Sequence, residues 1–244
     1  MRKKKYLWTL LFPRHGYRPS ASDLKVYGTI YGYLCSKKYE SFTLFSFRFP
    51  LTLWSNIICI RMKTMYVFLA DGFEEIEALA PIDVMRRAGL AVTTVSVTGN
   101  LTVQGAHGIP VVADAAFDAL DYADAALLFL PGGLPGATNL EAHAGLGTLL
   151  KAKANAEGVV LSAICAAPLV LGGLGLLQGR QATCYPGFEN TMMGATYTAA
   201  KVTVDGNIIT ACGPGAAWEL GFTFVEYFCG KAKADELRKG MQFL

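Results

Sequence analysis

From Met65 onward, short apolar runs alternate with longer segments of helical character, and this alternation limits the fold more than any other feature. "MYVFLA" (65–70), "AALLFLPGG" (125–133) and "VVLSAI" (159–164) read as buried strands. "AVTTVSVTG" (91–99) is β-branched and strand-like. Between them, "EEIEALAPIDVMRRAG" (74–89) has helical character and ends on Arg86, Arg87 and Gly89, which are C-terminal signals. "LEAHAGLGTLLKAKANAEG" (140–158) reads as one helix and "PLVLGGLGLL" (168–177) as a short one. Strands this apolar, separated by helices, imply a parallel sheet covered on both faces. "KVTVDGNIITAC" (201–212) carries Asp205-Gly206 between β-rich runs, a hairpin signal, and 216–230 and 234–244 read as closing helices. The expected fold is α/β: a flavodoxin-like, doubly wound, mostly parallel sheet sandwiched by helices, with a small hairpin appended.

Charge and aromatic content divide the chain near Arg61. Residues 1–61 hold 11 Lys/Arg, 2 Asp/Glu and 13 of the 28 aromatics, whereas the remainder holds 11 basic and 17 acidic residues. The acidic body has no basic stripe of the kind that binds nucleic acid. "FPLTLWSNIICI" falls short of the roughly 18–20 apolar residues that span a bilayer. Residues 1–61 read as a targeting arm, a partner-binding arm, or an upstream mis-start with Met62 or Met65 as the true beginning. The third reading is favoured, and the domain is placed at 62–244.

The six cysteines, Cys35, Cys59, Cys165, Cys184, Cys212 and Cys229, form no C-x-x-C pair and have no histidine at zinc-ligand spacing. They read as reduced thiols in a reducing cytoplasm, and neither as a disulfide framework nor as a zinc site.

Ligands of doubly wound sheets bind at the carboxyl ends of the strands. Three segments converge there: "ADGFEEIE", "LPGG" and "AICAAP". Cys165 follows its strand directly, and Pro168 suits the first turn of a helix starting at about Cys165–Ala166. This is the setting of a nucleophile elbow, although G-x-S-x-G is absent. A helix N-terminus would lower the thiol's pKa. The N–H groups of Ala166 and Gly133 could receive an oxyanion. A free cysteine also serves as a small buried hydrophobe, so position alone leaves both roles open. Glu77, with apolar neighbours on either side, is the candidate proton carrier, its pKa raised by the cleft. Glu74 and Glu75 read as acids that favour a helix N-terminus. His143 reads as lying on a solvated helix face, and His107 as a surface residue that could line the cleft.

"DGFEEIEALAPIDVMRRAG", "LPGGLPGATNL", "AICAAPLVL" and "GPGAAWELG" together resemble the ThiJ/PfpI superfamily, in its deglycase and YajL-like branch, over about residues 65–230. The resemblance implies a class I glutamine amidotransferase-like fold, a homodimer and no cofactor. It implies Cys165 as the reactive cysteine, Glu77 as the protonated carboxyl beside it, and Gly133 and Ala166 as backbone donors. It further implies a glutathione-independent glyoxalase or deglycase acting on small 2-oxoaldehydes such as methylglyoxal, or an oxidative-stress sensor or chaperone using the same sulfur. Two departures stand out. Ala166 occupies the place where the peptidase branch has histidine, which argues against proteolysis. Tyr185 precedes Pro186 where the deglycase branch often has a pocket histidine.

Overall fold

The computed structural model describes residues 63–243, so the readings of residues 1–61 and of Met62 lie outside the described residues. The strand–helix alternation seen in the sequence is realised. Strand β1 (Thr64–Leu69) leads to helix α1 (Glu75–Arg87) and then β2 (Ala91–Ser96). Short strands β3 (Thr102–Gln104), β4 (Pro110–Val112) and β5 (Ala115–Ala116) precede the central β6 (Ala125–Leu130). Helices α2 (Gly136–Ala142) and α3 (Ala144–Lys153) follow, then β7 (Val160–Ile164) and α4 (Pro168–Gly173). After β8 (Gln181–Ala182) and β9 (Thr196–Tyr197) come β10 (Val202–Asp205) and β11 (Ile208–Ala211). Helices α5 (Ala217–Cys229) and α6 (Lys231–Gly240) close the domain.

The main sheet has the order β10-β11-β7-β6-β1-β2-β5. Every pairing in it is parallel except β10 with β11. The strand order reverses between β1 and β6, and this is where a doubly wound sheet opens a crevice for ligands.

Period-two alternation sends the side chains of one strand to two cores. Tyr66 and Phe68 join Leu128 and Leu130 in a layer packed against Leu140 and Leu146 of α2 and α3 and Leu171 of α4. Val67 and Leu69 join Leu127 and Phe129 in the opposite layer, against Ala78, Ile82 and Met85 of α1 and Leu220 and Phe224 of α5. Each fully buried Leu or Phe contributes about 1.5–3 kcal/mol relative to exposure. Pro81 cannot donate to the carbonyl of Glu77. It is buried in α1, with its Cα against Gly221 of α5, where a β-carbon would come within 3.0 Å. Among the described residues, no helix is long and apolar enough to cross a membrane.

Three sequence readings change. The β10–β11 hairpin is antiparallel as expected, but it extends the main sheet rather than hanging from it. β11 lies parallel to β7, and Ile208, Ile209 and Ala211 are buried there. The single helix expected over 140–158 begins earlier and divides at His143, whose extended backbone (φ −79°, ψ 98°) ends α2. His143 is therefore not on a solvated face. Its Nδ1 accepts from Leu146 N at 3.0 Å, capping α3, and its ring meets Phe117 edge-on at 4.6 Å. Finally, α4 starts at Pro168 rather than at Cys165–Ala166, with Ala167 as its cap.

Candidate active site

The loop after β1 and the loop after β6 interlock at the strand-order reversal. Glu74 N donates to Gly132 O at 2.9 Å, Gly136 N donates to Gly72 O at 3.1 Å, and Asn139 Nδ2 donates to Asp71 O at 2.8 Å. These bonds hold the start of α1 against the Gly132-Gly133 turn.

Cys165 sits immediately after β7 with φ +64°, a left-handed conformation that costs a non-glycine residue about 1–2 kcal/mol. Three strong backbone contacts hold it there. Its N–H donates to Ala211 O at 2.9 Å, its carbonyl accepts from Tyr185 N at 2.8 Å, and the N–H of Ala167 closes a tight turn onto Ile164 O at 3.0 Å. The abrupt turn expected at the elbow is thus formed by a strained residue, before any helix begins.

Glu77 projects from the first turns of α1 and is fully buried. Its Oε2 accepts from Gly132 N at 3.0 Å. Its Oε1 is buried without a hydrogen-bond partner of ordinary geometry, although the carboxyl and the Cys165 thiol influence each other's titration as hydrogen-bonded groups. Both side chains press on Gly132. A β-carbon on Gly132 would overlap Glu77 Oε2 and stand 2.6 Å from Cys165 Cβ. Glycine is required here for space, and at Gly133 for its φ of +87°.

The electrostatics follow from burial. Desolvation pushes the Glu77 carboxyl up to about 7, and hydrogen bonds from Cys165 and Gly132 only partly oppose it. Burial also pushes the Cys165 thiol up to about 12, followed by the charge and hydrogen bonding of Glu77, while the N–H groups of Gly133 and Ala166 pull it down. The sequence expectation of a lowered thiol pKa therefore does not hold, because burial is the largest cause of the rise. The helix dipole that was to lower it begins three residues further on. Part of the upward push belongs to the Glu77 carboxylate and disappears once that group is protonated. At neutral pH the thiol keeps its proton while the Glu77 carboxyl stands near its midpoint, so its ionised form can take the thiol's proton as the sulfur reacts.

The sequence-predicted residues Cys165, Glu77, Gly133 and Ala166 all converge. Tyr185 joins them through its backbone, with an exposed side chain whose ring lies over Gly213, where a β-carbon would stand 3.1 Å away. His107 is not part of this cluster's contacts with sulfur. It is exposed, and its Nδ1 lies 3.0 Å from Glu75 Oε2 and 3.3 Å from Glu74 Oε2.

Glu75 has a role that sequence reasoning missed. It is buried, not merely placed for the helix dipole. Its Oε1 accepts from His107 N at 2.9 Å and Ile109 N at 3.2 Å. Burial alone would raise its pKa. The bonds from its own N–H, His107 and Ile109 outweigh burial and hold it below the usual carboxylate range. His107 in turn is held above its ordinary value by the Glu75 hydrogen bond and the two carboxylates. The ligand atoms of Glu74, Glu75 and His107 lie within 4.8 Å of one another, close enough to face one cation. The three loop hydrogen bonds already made by Glu75 mark the cluster as a clamp on residues 105–109.

Residues 63–227 match the DJ-1/PfpI family model. The chain is similar to protein DJ-1 homolog A of Arabidopsis thaliana, with 41% identity over 72% of this chain and 45% of that protein, so it spans less than half of that relative. It is 32% identical to a protein named as a deglycase from Pyrococcus abyssi, over 64% of this chain and 95% of the relative. Among solved structures, oxidized Toxoplasma gondii DJ-1 superposes with a TM-score of 0.69 at 34% identity, covering 74% of this chain and 98% of that one. A buried acid and a strained cysteine meeting at the crevice of a doubly wound sheet thus occur within a sequence that belongs to the DJ-1/PfpI family.

Proposed function

We propose that this protein is a cofactor-independent, glyoxalase- or deglycase-like enzyme that acts on small 2-oxoaldehydes such as methylglyoxal. The observation that carries this reading is the pairing of fully buried Glu77 with the Cys165 thiol, beneath the N–H groups of Gly133 and Ala166. The sulfur adds to the aldehyde carbon as its proton passes to ionised Glu77 and on to the new oxyanion, giving a neutral hemithioacetal and leaving Glu77 ionised again. Gly133 and Ala166 N–H groups stabilise the oxyanion as it forms. Glu77 then takes the proton from that carbon and returns it to the neighbouring one, which leaves a thioester. Water releases the 2-hydroxy acid and restores the thiol. The Pyrococcus relative's name as a deglycase supports the deglycase-like part of this reading.

The test is lactate formation from methylglyoxal without glutathione. Wild type forms lactate and Cys165→Ser does not; undiminished activity in Cys165→Ser overturns the scheme.

A second reading, oxidative-stress sensing or redox-regulated chaperone action with little turnover, is favoured by one observation. Glu77 Oε1 is buried and free to donate, when protonated, to an oxidised Cys165 sulfur. Under either reading we propose a homodimer in the cytoplasm, where reducing conditions keep such thiols free.

A further inference from the structure

Cys212 is a nucleophilic thiol without a part in the scheme above. β11 runs parallel to β7 with Ala211 opposite Ile164, and the N–H of Cys165 donates to Ala211 O at 2.9 Å. Cys165 and Cys212 are the residues that immediately follow this last pair of neighbouring strand positions. Neighbouring strands lie about 4.8 Å apart, inside the Cα separation of about 4.4–6.8 Å that a disulfide spans. Both side chains pack against the same core layer, the one between the sheet and helices α1 and α5. Both are partly exposed, whereas Cys184 is buried and Cys229 lies exposed at the far end of α5. The Cys212 backbone is fixed by its N–H bond to Lys201 O at 3.0 Å.

We propose that Cys212 is the resolving thiol for Cys165, and that hydrogen peroxide closes a Cys165–Cys212 disulfide across the active-site crevice. The inference rests on Cys165 being the reactive sulfur. In the first step the Cys165 sulfur donates an electron pair to one peroxide oxygen, the O–O bond breaks, and sulfenic acid and water form. In the second, the Cys212 sulfur attacks the sulfenic sulfur, the S–S bond forms and the S–O bond breaks. The departing hydroxide leaves as water with the Cys212 proton. One peroxide is reduced to two waters while two thiols are oxidised. The disulfide blocks aldehyde chemistry reversibly and diverts Cys165 from sulfinic acid, which ordinary thiols do not reduce.

The experiment treats the reduced full chain with one equivalent of hydrogen peroxide, alkylates remaining thiols, and digests with trypsin and a glutamate-specific protease. Cleavage after Glu157, Arg180, Lys201 and Glu219 places Cys165 in peptide 158–180 and Cys212 in peptide 202–219, free of the other cysteines. The expected result is an intact mass lower by two hydrogens and a 158–180/202–219 cross-link that dithiothreitol reverses. Cys212→Ser and Cys212→Ala should instead accumulate sulfinic acid on Cys165. Wild type that accumulates sulfinic acid as fast as these variants, or a cross-link from Cys165 to any other cysteine, overturns the proposal and leaves the reactive-sulfur reading standing. An unmodified Cys165 overturns both.

Discussion

Glu77 and Cys165 meet across Gly132, whose missing side chain leaves the space in which a buried carboxyl and a strained thiol act on each other's titration. Burial costs the carboxylate more than its hydrogen bonds return, which has a measurable effect on stability. Glu77 ionises near 7 in the folded protein against an ordinary 4.5. Its contribution is fully present below 4.5 and is lost as pH rises through 7. The loss is on the order of 3 kcal/mol. Thermal unfolding from pH 5 to 9 should show wild type losing stability across this window and Glu77→Gln losing distinctly less. Parallel curves would mean that Glu77 ionises in the fold at its ordinary value, with no shift from burial.

Gly132 gives a steric prediction. In Gly132→Ala the new methyl overlaps Glu77 Oε2 and approaches Ile164 O to 2.8 Å. The substitution should cost about 1–3 kcal/mol, as overpacking does, and reduce lactate formation at least tenfold. Gly215→Ala, where a β-carbon meets nothing within 4 Å, is the control and should change neither.

The Glu75 clamp predicts local rather than global loosening. Charge-assisted hydrogen bonds of this kind contribute about 1.5–3 kcal/mol. Glu75→Gln should speed amide exchange of residues 105–109 at least tenfold while exchange in β1 and β6 is unchanged. Because the folded pKa of Glu75 is depressed, the clamp holds above the ordinary carboxylate value and is released as pH falls through the depressed one. Equal protection of His107 and Ile109 in wild type and variant would contradict this assignment.

Tyr185 offers a gain of function. Its N–H is bonded to the Cys165 carbonyl, so position 185 is fixed beside the elbow. Tyr185→His places a group that titrates near 6.5 there. Turnover of methylglyoxal at pH 7 should rise about tenfold or more, with a new inflection in the rate profile. Unchanged turnover would mean that the side chain at 185 does not face the reacting carbonyl.

Much of this arrangement was legible in the sequence. Val67, Leu128 and Leu161 lie in strands buried on both faces, so their runs are continuously apolar and hard to mistake. Glu77 and Cys165 stood out because chemistry-bearing side chains follow two such runs, and the strand-end rule brings those ends together. What escaped reading depends on partners distant in the chain. Glu75 resembles any acid in a first helical turn, and its donors at His107 and Ile109 belong to a loop some thirty residues away. His143 interrupts an otherwise helical pattern by its backbone angles, and neither Gly nor Pro stands at the break. The turn at Cys165 has a different agent from the helix end that the sequence suggests. The turn is set by the left-handed backbone of Cys165, and the sulfur's stabilisation comes from two loop N–H groups rather than a helix end.

The most direct test of the coupled pair is a carbon-13 NMR titration of glutamate side-chain carboxyls, with Glu77 assigned by its absence from Glu77→Gln. A midpoint near 7 is expected in wild type. In Cys165→Ala it should rise further, because the thiol's hydrogen bond lowers it. A Glu77 midpoint near 4.5, or one that stays in place when the thiol is removed, would contradict the account.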